Sequence, residues 1–166
     1  MKKTMNIIAI FAVLLLTVSA NTERVNNAAE GMKAPYFKVE ATDGKDVSSS
    51  DFSGRFVIVS FWASNDASSR IAVNHYDRYV ESAGAGQVSH VAVNFDRNQR
   101  LFREIVRRDG LNGESQFHVT PQEASDLIRK YEMENGLQSF LIGPDGRIAA
   151  VNPSDEDLRQ LTAAAV

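Results

Sequence analysis

Residues 55–70 read RFVIVSFWASNDASSR. From Arg55 to Ala63 the run is almost continuously apolar, β-branched and aromatic. A strand wet on one face alternates polar and apolar residues, so an unbroken run suits a strand buried on both faces, as in a parallel or mixed sheet. Ser68 to Ala83 then reads as a helix, with Ile71, Tyr76, Tyr79 and Val80 approximating one apolar side, and Gly84 and Gly86 end it.

Working outward, Val88 to Phe95 is a second central strand. Asn98 to Asp109 is an amphipathic helix, with Leu101, Phe102, Ile105 and Val106 as its apolar side and Gly110 as its stop. Phe117 to Val119 is a short edge strand. Thr120 caps a helix that has Pro121 at its first position and runs to about Tyr131. Ser139 to Ile142 and Arg147 to Val151 form a hairpin around Pro144-Asp145-Gly146. Ser154 to Ala164 is a last helix, with Ser154 as cap and Asp157 at the capping-box offset. On the N-terminal side, Pro35 to Glu40 is a short strand, Asp43-Gly44 a hairpin turn, and Val47 to Phe52 a second strand or turn. The order is β-β-β-α-β-α-β-α-β-β-α. Two buried strands joined through a helix give a right-handed crossover, and the whole predicts an α/β fold with a central mixed sheet.

Residues 1–20 are a different material. Lys2 and Lys3 precede an apolar run from Ile7 to Leu16, and Val18-Ser19-Ala20 offers a small-residue cleavage point. This is the layout of a secretory signal peptide, and the run is short for a bilayer span. The expected organisation is a signal peptide at 1–20, a flexible lead at 21–33 and one domain at 34–166. With the leader cleaved, no integral membrane span is expected. The 166 residues carry 18 basic and 21 acidic side chains, and losing Lys2 and Lys3 moves the net charge from −3 to about −5. That balance argues against nucleic-acid binding. There is no cysteine.

The stretch Gly31 to Arg70 carries Gly31, Ala34-Pro35, Phe37, Asp43-Gly44-Lys45, Gly54-Arg55 and Phe61-Trp62-Ala63 in one order. In this it resembles the exported thioredoxin-like oxidoreductases of the TlpA/ResA type, relatives of the AhpC/TSA superfamily, and the likeness resumes at Tyr131 and FLIGPDGRI, residues 140–148. The resemblance implies a thioredoxin-like fold with an N-terminal β-hairpin extension, residence in a bacterial envelope (periplasmic or secreted) and a role in envelope thiol–disulfide homeostasis. The family follows its Phe-Trp-Ala with a Cys-x-x-Cys. Counted from Trp62, those two cysteines fall on Asp66 and Ser69, and the family's cis-proline falls on Leu137, for which a trans bond is expected.

Thiol exchange needs a thiolate attacking a disulfide sulfur. This chain supplies none, so disulfide oxidoreductase and cysteine-peroxidase chemistry are excluded and no catalytic residue is assigned. Asp66 has a structural reading: it places a carboxylate in the field of a helix N-terminus and can cap it by accepting the N–H of Ser68 or Ser69. The degenerate surface of Trp62, Asn65, Asp66, Ser69 and Leu137 is the candidate binding site for an unknown envelope protein or peptide. Trp62 itself reads as core or pocket wall. Alternatives are an enzyme of another class working through Asp66, and a decayed paralogue. A triad of Asp66, Ser69 and His75 is disfavoured, because positions 69 and 75 lie on different sides of one helix. His75, His90 and His118 show no ligand spacing, so no metal is assigned, and no cofactor is expected. A monomer is expected. The arginines at 97, 100, 103, 107 and 108 read by default as a solvated helix face, with an anionic partner or lipid headgroup as the sharper alternative.

Overall fold

A computed structural model describes residues 28–40, 46–83 and 88–163. In chain order the elements are β1 (Lys38–Glu40), β2 (Asp46–Ser48), a 3-10 turn (Ser49–Phe52), β3 (Phe56–Trp62), α1 (Ala67–Ala83), β4 (Val88–Asn94) and α2 (Gln99–Asp109). A second 3-10 turn (Gly113–Ser115), β5 (Gln116–His118), α3 (Pro121–Lys130), β6 (Ser139–Ile142), β7 (Ile148–Val151) and α4 (Asp155–Ala163) follow. The element order is the one the sequence predicts, with two 3-10 turns added. The signal segment at 1–20, the first part of the lead, the Asp43-Gly44 turn and the Gly84/Gly86 helix stop lie outside the described residues.

The main sheet has the order β5-β4-β3-β6-β7. β3 runs parallel to β4 and β4 parallel to β5, while β6 is antiparallel to both β3 and β7. β1 and β2 form a separate antiparallel pair. Each parallel step needs a long connection, and α1 and α2 supply them. β3 sits at the centre of the sheet, which is why all seven of its residues are buried.

The pleat divides β3 between two cores. Val57, Val59 and Phe61 face a cluster with Phe37, Phe117, Leu127, Tyr131 and Phe140. There Phe61, Tyr131 and Phe140 pack in tilted and edge-on contacts, with ring centroids 4.8, 5.0 and 6.1 Å apart. On the other face Phe56 and Ile58 join Tyr76 and Leu158, while Trp62 joins Val73, Phe102 and Ile105.

The helix ends follow local chemistry. Asn98 caps α2 through the N–H groups of Arg100 and Leu101, and Gly110 ends it at φ 67°, a left-handed conformation that glycine adopts without a Cβ penalty. Thr120 and Glu123 form a reciprocal capping box on α3. Ser154 and Asp157 do the same for α4.

Three expectations change. Leu101, read as part of the apolar side of α2, is 41% exposed, and the helix buries Phe102 and Ile105. Ile71 is not on the apolar side of α1 but 71% exposed. The buried positions of that helix are Ser69, Val73 and Tyr76, and a residue two places from 69 and from 73 points roughly the opposite way. The described part of the lead, residues 28–33, is not loose. The Gly31 N–H donates to the Ile148 carbonyl, the Ile148 N–H donates to the Met32 carbonyl, and the Arg147 guanidinium donates to the Gly31 carbonyl. The lead thereby hems the outer edge of β7.

Candidate functional site

The parallel strands β3, β4 and β5 all end on one side of the sheet, and in α/β sheets ligand crevices form outside such carboxyl ends. Here those ends carry the turn 63–66, residues 95–98 and residues 118–120.

The first turn is closed by its own side chains. Asp66 Oδ1 accepts the Ser69 N–H at 2.8 Å, and the Asp66 carbonyl accepts the Arg70 N–H at 3.1 Å. Asp66 is thus the N-cap of α1. The buried Ser69 hydroxyl accepts the Ala63 N–H and donates to the Asp66 carbonyl, each at 3.3 Å. Both positions counted onto the redox pair therefore hold oxygen that braces the strand-to-helix turn.

The neighbouring strand end is braced as tightly. Asp96 Oδ1 accepts both the N–H and the hydroxyl of Ser64, and Oδ2 accepts from Asn94. The His118 ring nitrogen Nε2 lies 2.7 Å from the Asp96 carbonyl. A carbonyl only accepts, so Nε2 is the donor in this contact. Ser64, Asp96 and His118 were missed in the sequence. Their shared signal is position, each being polar at or just past a predicted strand end.

Of the five predicted site residues, Asn65 is exposed and Asp66 half-buried at the turn. Leu137 is half-buried against the first core, and the next residue, Gln138, accepts the Phe61 N–H through its carbonyl at 3.1 Å. That bond sets the loop beside the carboxyl end of β3. Among the described residues there is no cis peptide bond. Ser69 is buried and its hydroxyl is already bonded. Trp62 corrects the expectation of a binding residue. It is 0% exposed, and its ring lies 6.0 Å from that of Phe102 inside the second core. The wall of the site is made by the residues after it.

The surface continues along α1. A groove of about 570 Å³ is lined by Ala67, Arg70, Ile71, Asn74, Arg78 and Asp109. Arg70 donates two hydrogen bonds to Asp109, at 2.6 and 2.7 Å, which ties α1 to the end of α2. That bidentate contact holds the Asp109 carboxyl below its usual range, against the opposing effect of burial.

The predicted distance between Ser69 and a histidine base holds. His75 points away, to Asp155 at 2.9 Å. A different serine, histidine and aspartate do meet. The Ser60 hydroxyl lies 3.0 Å from His90 Nε2, and His90 Nδ1 lies 3.3 Å from Asp77 Oδ1. Asp77 also accepts the Asn112 N–H at 2.7 Å and the Ser115 hydroxyl at 3.0 Å. Burial alone would raise the Asp77 carboxyl, but the bonds from His90, Asn112 and Ser115 outweigh it and hold it below its usual range. Ser60 is 1% exposed in mid-strand, so no substrate reaches it. The group is a polar clasp set between two apolar clusters. No local signal announces it, because its members come from β3, α1 and β4. Among the described residues no cluster of three or more His, Cys, Asp or Glu is arranged to hold a metal ion.

Comparison with known proteins gives one consistent picture. Residues 31–151 match the AhpC/TSA family. The chain is 26% identical over 163 residues to the thiol-disulfide oxidoreductase ResA of Bacillus subtilis, covering 91% of this chain and 87% of that one. A thioredoxin-like protein from Parabacteroides distasonis has a solved structure with a TM-score of 0.70 at 28% identity, over 82% of this chain and 96% of that one. A thiol:disulfide interchange protein DsbE from Chlorobium tepidum has a TM-score of 0.62 at 25% identity, over 82% and 97%.

Proposed function

The chain belongs to the AhpC/TSA family, and from that membership, joined to the absence of any thiol, we propose that it is an exported thioredoxin-fold binding module without redox activity. One observation carries the reading: the two positions counted onto the redox pair are Asp66 and Ser69, and both are committed to hydrogen bonds within the turn. The scaffold of the reaction centre is kept while its reacting atoms are replaced.

The binding surface in this reading is Asn65, Asp66 and Leu137, extended along α1 by Ile71. Exposed Ile71 offers an apolar anchor, and Asn65 and Asp66 offer polar contacts beside it. A protein or peptide segment suits such a shallow mixed surface better than a small molecule, which is normally enclosed by its pocket. The same reading places the protein in a bacterial envelope. Among the described residues no helix is long and apolar enough to cross a membrane.

Crosslinked pull-down from the native envelope, run with wild type and with the exposed-surface variants Asn65→Arg and Ile71→Glu, tests the proposal. Loss of the same recovered partner in both variants supports it. Retention of every partner by Asn65→Arg, Ile71→Glu and Asp66→Ala/Leu137→Ala refutes it. A parallel insulin-reduction assay should show no acceleration over dithiothreitol alone.

A further inference from the structure

The outward face of α2 is rich in arginine. Phe102 and Ile105 are buried against the second core. Arg97, Arg100, Arg103, Arg107 and Arg108 are exposed on the other side, with Glu104 as the one acid between them. At 100° per residue the four arginines within the helix fall in an arc of about 140°, and Arg97 lies just before the Asn98 cap. Elsewhere five of the nine described lysines and arginines, Lys38, Arg70, Arg129, Arg147 and Arg159, lie within ion-pair distance of a carboxylate. The four with no such contact among the described residues, Lys33, Arg55, Arg78 and Lys130, are spread over other elements. Arg97, Arg100, Arg103 and Arg107 have no such partner among the described residues. In a chain of net charge −3 this face carries five arginines against one acid within it, Glu104, with Arg108 lying 3.7 Å from Asp109 at the helix end.

We infer that this face of α2 docks on an anionic phospholipid surface. The helix presents a convex ridge about 16 Å long, a shape that meets a plane. The guanidinium fork matches phosphate oxygens in two-point contacts. Leu101, 41% exposed, borders the arginine arc of the helix, where an apolar side chain can enter the boundary between headgroups and acyl chains. An acidic polypeptide would satisfy the charge but would leave Leu101 and the ridge shape without a use. The inference concerns a different surface from the binding site above and stands or fails apart from it.

The experiment is vesicle flotation with the full chain. Its two vesicle types are pure phosphatidylcholine and phosphatidylcholine mixed with phosphatidylglycerol. The apolar run from Ile7 to Leu16, with Lys2 and Lys3 beside it, is the same in wild type and in both double variants, so the comparison between variants isolates the α2 arginines. Wild type should favour the phosphatidylglycerol vesicles and lose that preference in high salt. Arg100→Glu/Arg103→Glu should weaken the preference at least about 25-fold, taking about a factor of five for each surface arginine. Lys33→Glu/Lys130→Glu, which changes net charge equally at exposed positions off this helix, should leave it nearly intact. All four substituted side chains are exposed, and circular dichroism checks that each variant is folded. Equal binding to both vesicle types, or equal losses in the two double variants, would overturn the inference. So would arginine-dependent binding to polyglutamate without binding to phosphatidylglycerol.

Discussion

The polar clasp at Asp77 invites a sharp stability test. Asp77→Ala removes the acceptor for three donors: the His90 ring, the Asn112 N–H and the Ser115 hydroxyl. Their losses differ. The His90 side chain is 1% exposed, so its nitrogen has no water to turn to. An orphaned buried donor costs about 1–3 kcal/mol, and this is the main part of the effect. Asn112 is exposed and its N–H can be rehydrated, which limits that loss to about 1 kcal/mol. The Ser115 hydroxyl already lies 2.9 Å from the Asn112 carbonyl and keeps that acceptor. The sum is about 3 kcal/mol. For a domain of this size that corresponds to a fall in Tm of about 10 °C. Urea unfolding is the assay, followed by the fluorescence of Trp62, the single tryptophan and fully buried. Asp77→Asn keeps an acceptor oxygen of nearly the same shape and should lose only about 1 kcal/mol. A loss below about 1 kcal/mol for Asp77→Ala would refute the reasoning, since exposed ion pairs already reach that value.

Two further outcomes follow from the same geometry. Asp66→Ala should destabilise the fold by about 1 kcal/mol through loss of the α1 cap, and Asp66→Asn, which can still cap, by only a few tenths; equal losses in the two variants would contradict the capping role. On acidification, stability should fall. Asp77 and Asp109 are held below the usual carboxylate range in the folded chain, so the unfolded chain binds more protons. Their contribution is full above the unfolded value of about 3.9 and fades as pH drops through the folded values. Asp109→Asn should flatten that dependence, and denaturant titrations at stepped pH would measure it.

The architecture was legible because it is written in local patterns. The nearly continuous apolar run from Phe56 to Trp62 suited a strand covered on both faces, and its β-branched and aromatic residues favoured a strand over a helix. Thr120-Pro121 and Ser154 with Asp157 marked helix starts through short-range capping chemistry. The role of Asp66 was legible for the same reason, since the donor it satisfies is three residues away. Orientation was harder. Ile71 is apolar, but α1 turns inward at Ser69, Val73 and Tyr76, and a polar residue in the buried stripe hid the true face. Trp62 ends a buried strand, yet only the packing of Phe102 against it shows that the ring is sealed in. The clasp of Ser60, Asp77 and His90 left no trace in the sequence. It is assembled by the α1 crossover, which brings residues 13 and 17 places apart in the chain into one network between two apolar clusters. The carboxyl-end residues Asp96 and His118 became visible only once β4 and β5 were known to run parallel.

The hem formed by residues 31–33 along β7 sets a boundary for any peptidase that trims the N-terminus. A cut at Ala20 leaves the hem whole. A cut past Met32 would strip the partners of Ile148 and bare an unpaired strand, the feature through which sheets fuse edge to edge into aggregates. Where the N-terminus is trimmed thus decides whether this edge stays covered.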